Sequence, residues 1–131
     1  MIVVDTNVIV NLWVPGENSK HAEELIKKDR EWAVPILWRS EFRSVMSMYL
    51  KKKLLTLDMI LRIIENAEEQ LQANEFNVSS IQVMELVNKS NCSAYDCEFI
   101  CLAQSLKTKL ITSDKQILKE FPSVAAALNN Y

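Results

Sequence analysis

The chain has 131 residues, close to the size of one domain and long enough to bury a core without disulfide or metal staples. Its 15 Lys and Arg against 17 Asp and Glu give a formal charge of -2, which excludes the strongly basic balance of a non-specific nucleic-acid binder. No apolar run is long enough to span a bilayer and no signal-peptide layout opens the chain, so residues 1–131 read as a single soluble domain with no membrane partner.

Ile2-Val3-Val4 is a short apolar run that ends at Asp5, and Asp5 or Thr6 can cap a helix burying Val8, Ile9 and Leu12. Pro15-Gly16 breaks this pattern, and Ser19 starts a second helix that runs to Lys27-Lys28. Trp32-Ala33-Val34-Pro35 predicts a second strand. Trp38, Phe42, Val45, Met46 and Tyr49 then share one helical face, which favours core packing over base stacking for Trp38 and Tyr49.

Lys51-Lys52-Lys53 predicts a turn, after which Thr56 caps a helix with Leu57, Ile60, Leu61, Ile64 and Leu71 on its apolar side; the two helices form a hairpin. Glu75–Val78 falls where a strand is needed, ahead of a helix with Ile81, Met84 and Val87 on its inner face. Ser93 starts a helix with Tyr95, Phe99, Leu102, Ala103 and Leu106 inward, and Lys109–Thr112 reads as a strand leading directly to Asp114. Short apolar strands alternating with amphipathic helices imply parallel pairing, hence a three-layer α/β/α fold around a sheet of four to five strands.

In an open parallel sheet, ligands bind outside the carboxyl ends of the strands, where Asp5 and Asp114 both fall. Glu41 lies about 40° from Val45 on its helix and Asp96 about 60° from Phe99, so both carboxylates border an apolar stripe. Each acid also has an ordinary structural reading. Asp5 and Asp114 suit helix N-caps, Ser93-Ala94-Tyr95-Asp96 resembles a capping box, and Glu41 can pair with Arg39 or Arg43. Two of the four sit at strand ends on one rim and the other two border the faces of helices covering the same sheet, and this convergence is the functional signal. Four neighbouring carboxylates repel one another unless protons or cations neutralise them, and hard oxygen donors select Mg²⁺ or Mn²⁺.

Cys92, Cys97 and Cys101 lack paired C-x-x-C spacing, and the one histidine, His21, is distant in sequence and reads as a surface residue. Reduced core thiols in a cytoplasmic setting fit this pattern better than a zinc site.

The segments Ile2–Val8, Trp38–Phe42, Ser93–Cys97, Leu110–Asp114 and Phe121–Val124, in this order and spacing, resemble a PIN domain across the whole chain. They are most similar to the VapC-type toxin ribonucleases of bacterial and archaeal toxin–antitoxin modules. The resemblance implies that Asp5, Glu41, Asp96 and Asp114 are the catalytic, metal-binding quartet, with Thr6, Asn7, Thr112 and Ser113 orienting them or the substrate. It also implies an RNA substrate, a cognate antitoxin and a homodimer built on helices such as Leu57–Leu71. Arg39 and Arg43, which flank Glu41 in sequence, and Lys115 beside Asp114 are the candidate cations for the RNA backbone.

Three other readings compete. A haloacid dehalogenase-type phosphatase needs a second acid two residues after the first, where this chain has Asn7. A receiver-like phosphoacceptor domain needs adjacent acids after the first strand, and these are also missing. The third is a PIN fold serving as a protein-binding scaffold, with its acids acting as caps.

Overall fold

A computed structural model describes residues 1–131. The chain runs β1 (Ile2–Val4), α1 (Thr6–Trp13), α2 (Ser19–Lys28), β2 (Trp32–Pro35), α3 (Trp38–Lys51), α4 (Leu57–Leu71), β3 (Glu75–Phe76), α5 (Ser80–Asn88), α6 (Ala94–Ser105), β4 (Leu110–Thr112), α7 (Lys115–Glu120) and β5 (Ala125–Ala127). Short 3₁₀ turns follow α4 and β5. All five strands are parallel in the order β3-β2-β1-β4-β5. α6 packs on β1, β2 and β4 with α5 against it, while α1 contacts α2, α3 and α4 in the other helical layer.

Residues buried on both faces explain why β1 and β2 are continuous apolar runs rather than alternating ones: Ile2 to Val4 and Trp32 to Pro35 are all buried. Strand order reverses between β1 and β4, which makes the crevice beyond their carboxyl ends the switch point of the sheet. A hydrogen bond from the Asp5 N–H to the Ile111 carbonyl, 2.9 Å long, fixes these two strand ends together.

Three predicted helix faces and the extent of one strand are corrected by the structure. In α5 the buried residues are Val83 and Leu86, whereas Ile81 and Met84 are 74% and 57% exposed. Apolar residues at 81, 83, 84, 86 and 87 allow two overlapping stripes, and the position of α6 selects one of them. α6 itself buries Cys97, Ile100 and Cys101 besides Phe99, Leu102 and Ala103, because it is covered by the sheet on one side and α5 on another; Tyr95, at its free end, is exposed. In α4 the buried stripe is Ile60, Ala67 and Leu71, leaving Leu57 and Leu61 exposed. The predicted strand at Glu75–Val78 is paired only over Glu75 and Phe76.

With Gly16 the only glycine, two helix ends use lysine in the left-handed conformation: Lys53 after α3 and Lys107 after α6, with φ of 59° and 54°. A Cβ is disfavoured there. Lys53→Gly should therefore raise stability by roughly 0.5–1 kcal/mol in chemical denaturation, and a loss of stability would contradict this.

Candidate functional site

Asp5 stands where β1 becomes α1 and is only 7% exposed. Its Oδ1 accepts the Thr6 N–H at 2.8 Å, and its Oδ2 accepts the Thr112 hydroxyl at 2.7 Å and the Asn7 amide at 3.2 Å. A carboxylate this buried needs such donors to offset lost hydration. The Thr112 hydroxyl also accepts the Asp114 N–H at 3.0 Å, so one side chain ties together the ends of β1 and β4. Asn7 adds a second tie by accepting the Ser113 N–H at 3.2 Å.

Asp114 caps α7, its Oδ1 accepting the N–H groups of Gln116 and Ile117 at 2.9 and 3.0 Å. Glu41, in the first turn of α3, accepts the Thr6 hydroxyl at 2.7 Å through Oε1. Asp96 lies in the first turn of α6, where the capping Ser93 hydroxyl accepts its N–H at 3.1 Å. The structural readings of Asp5 and Asp114 as caps are thus correct, and each is compatible with a further role because neither uses every acceptor site.

The four acids feel one another. Burial raises the pKa of Asp5; hydrogen bonds from Thr112 and Thr6 oppose the rise, and the charges of Asp96 and Asp114 add to it. Glu41 is raised first by burial, against the bond from Thr6, with the charges of Asp5, Asp96 and Glu98 contributing. Asp96 is raised by burial and then by the charge of Asp114. Glu98, itself raised by burial, is a neighbour that sequence reasoning missed. It lies roughly 160° around the helix from Asp96, so periodicity gave no reason to group the two.

The side chains do not form a ready-made cation cage: no three His, Cys, Asp or Glu groups converge in a ligating arrangement. Thr6 and the first turn of α7 hold Glu41 and Asp114 to local donors, and like charges held in this way stand apart. The donor set nonetheless suits a hard divalent cation, since it consists of carboxylates, and the charged forms of Asp5, Glu41 and Asp96 are disfavoured in the chain alone.

A pH dependence follows. An acid whose pKa is raised by folding contributes stability that is complete below its unfolded pKa and lost as pH rises through the folded value. Asp5, Glu41 and Asp96 therefore destabilise the fold at neutral pH. Glu75, lowered chiefly by its hydrogen bond from Arg39, acts oppositely, and its contribution is lost as pH falls through its folded value. Thermal unfolding in EDTA should show a stability maximum on the acid side of neutrality. A maximum above pH 7 would contradict the assignment.

Arg39 departs from the expected contact with RNA. Its guanidinium is committed to Glu75, with Nε–Oε2 at 2.6 Å and Nη2–Oε1 at 2.9 Å, and to Glu68 at 3.0 Å. A separation of two residues places Arg39 and Arg43 roughly 160° around α3 from Glu41, so adjacency in sequence does not bring them to the acids. Arg43 is exposed, as is Lys115, which lines a concavity with Ser113, Asn18 and Asn129 beside Asp114. Trp38 is core and donates its indole N–H to Glu75 at 2.7 Å. All three cysteines are buried free thiols. No helix is long and apolar enough to cross a membrane.

The family model described as PIN domain matches residues 2–124. The ribonuclease VapC3 of Pyrobaculum aerophilum is 28% identical over 127 residues, covering 94% of this chain and 96% of that protein. Among solved structures, a toxin–antitoxin complex from Klebsiella pneumoniae superposes with a TM-score of 0.73 at 16% identity, covering all of both chains. The crystal structure of PAE2754 from Pyrobaculum aerophilum gives 0.73 at 17% identity over 98% of this chain and 90% of its own. FitAcB from Neisseria gonorrhoeae gives 0.70 at 15% over 97% and 96%. These structural likenesses concern the fold, whereas the family match covers nearly the whole sequence: the chain belongs to the PIN-domain family.

Proposed function

We propose that this chain is a metal-dependent endoribonuclease that hydrolyses RNA phosphodiester bonds, acting as the VapC-type toxin of a toxin–antitoxin pair. The observation that carries the proposal is the gathering of Asp5, Glu41, Asp96 and Asp114 within electrostatic range at the switch point of the sheet. Similarity to a protein named as a ribonuclease supports the chemistry, and a structural neighbour described as a toxin–antitoxin complex supports an antitoxin partner.

In this reading the four acids hold one or two Mg²⁺ or Mn²⁺ ions after side-chain adjustment. When bound, the metal supplies a water of lowered pKa and neutralises charge on the phosphate during in-line attack. Thr112 and Asn7 hold Asp5 through Oδ2, and Thr6 links Asp5 to Glu41 by donating its N–H to one and its hydroxyl to the other. Exposed Ser113 and Lys115 border the acids on the α7 side, where Lys115 can meet the RNA backbone. Exposed Leu57 and Leu61, one turn apart on α4, would join a second copy of the chain, since neighbouring apolar groups at a surface favour association.

The capping roles of Asp5 and Asp114 favour one alternative, a catalytically silent scaffold. Purified protein incubated with a mixture of structured RNAs separates the two. Cutting with Mg²⁺ or Mn²⁺, its loss in EDTA, and its loss in Asp5→Asn are expected of the nuclease. Cutting that persists in Asp5→Asn, or no metal response, would overturn it.

A further inference from the structure

The acids at the N-termini of α6 and α7 are coupled by a strap outside the quartet. At the far end of α7, Glu120 turns back to the loop that launches α6. Its Oε1 accepts the Asn91 N–H at 2.9 Å, and its Oε2 faces the Cys92 thiol at 3.6 Å. One turn earlier, the Gln116 amide donates to the Asn91 carbonyl at 3.1 Å. Asn91 is thus held through both its N–H and its C=O by the helix that Asp114 caps, and Ser93, two residues later, caps the helix that carries Asp96.

We propose that Glu120 is a positioning residue for the acidic centre, acting through the loop at residues 91–93 to set Asp96 against Asp114. The proposal rests on the metal-centre reading above. Both oxygens of Glu120 are engaged, one by a backbone donor and one by a thiol donor. Burial first, and then the charge and hydrogen bond of Glu120, push the Cys92 thiol up to about 12, so it stays protonated and able to donate. Without Glu120, the side-chain hydrogen bonds from α7 to residues 91 and 92 reduce to that of Gln116, and repulsion between Asp96 and Asp114 works against the remaining tie. Partners one shell removed from a metal tune affinity by fixing the direction of its ligands.

Three forms test this: wild type, Glu120→Ala and Glu120→Gln. Gln keeps an oxygen for the Asn91 N–H and can offer its amide to the cysteine sulfur. Mn²⁺ affinity is read by electron paramagnetic resonance of the free ion, RNA cleavage is measured as a function of Mn²⁺ concentration, and amide exchange at residues 91–97 is measured without metal. Circular dichroism establishes that each variant is folded at the assay temperature. The expected result is a loss of Mn²⁺ affinity on the order of tenfold in Glu120→Ala, with faster exchange at residues 91–97 and near-complete recovery in Glu120→Gln.

Cleavage in Glu120→Ala should recover at saturating Mn²⁺. Unchanged affinity in a folded Glu120→Ala overturns the positioning role, and a lowered melting temperature with unchanged affinity does so equally, marking Glu120 as structural only. A wild type that binds Mn²⁺ but cuts no RNA refutes the nuclease reading alone, and the affinities still decide the role of Glu120. A wild type that binds no Mn²⁺ overturns both.

Discussion

Asp96→Asn should lose RNA cleavage by at least about a hundredfold, roughly 3 kcal/mol in barrier, while the metal-free protein becomes no less stable. The two halves of this expectation have one cause. The pKa of Asp96 is raised by burial and by the charge of Asp114, so its ionised form is a burden to the chain alone. Asn keeps the shape and removes the charge. Because the site is only half-buried, solvent screening limits the gain to about 0–1 kcal/mol. The Ser93 hydroxyl still accepts the backbone N–H of residue 96, so the helix cap survives. Urea denaturation in EDTA paired with a cleavage assay at saturating Mn²⁺ provides the check. A stability loss above about 1 kcal/mol would favour a structural role for this carboxylate.

Glu75→Ala carries the largest stability loss expected outside the hydrophobic core, about 2–4 kcal/mol. Glu75 accepts the Trp38 indole N–H and two N–H groups of the Arg39 guanidinium, and its side chain is 11% exposed. Alanine leaves the N–H of a buried indole without its acceptor and an arginine with only Glu68. Glu75→Gln keeps an acceptor for Trp38 and gives up the charge, so it should cost about half as much. The urea midpoint at constant m-value measures both substitutions. A change below 0.5 kcal/mol in Glu75→Ala, on the order of an ordinary surface substitution, would remove this cluster from the account of how α3 is anchored to β3.

The sequence by itself determined β1, β2 and β4, the helices that follow them, and the placement of Asp5 and Asp114 beyond parallel strands. These features rest on local physics. Short, mainly apolar runs bury both faces of these strands, and Asp5, Thr56, Ser93 and Asp114 cap helices through hydrogen bonds to residues within a turn. The aromatic face of α3 was legible for the same reason, as Trp38, Phe42 and Met46 form one unambiguous stripe.

Only the tertiary structure decided the rest, because the partners are distant in the chain. α5 carries two overlapping apolar stripes, and packing against α6 chose Val83 and Leu86 over Ile81 and Met84. β5 is an alanine triplet with little intrinsic preference for a strand, formed by pairing with β4. Arg39 lies two residues from Glu41 in sequence but is neutralised by Glu75 and Glu68, and Glu98 joins the acids from the other side of its helix. The hydroxyl of Thr112 reaches Asp5 across 107 positions, and Glu120 reaches Asn91 across 29. Residue types and local spacing fixed where the acids sit on their elements; the winding of the sheet fixed which groups surround them.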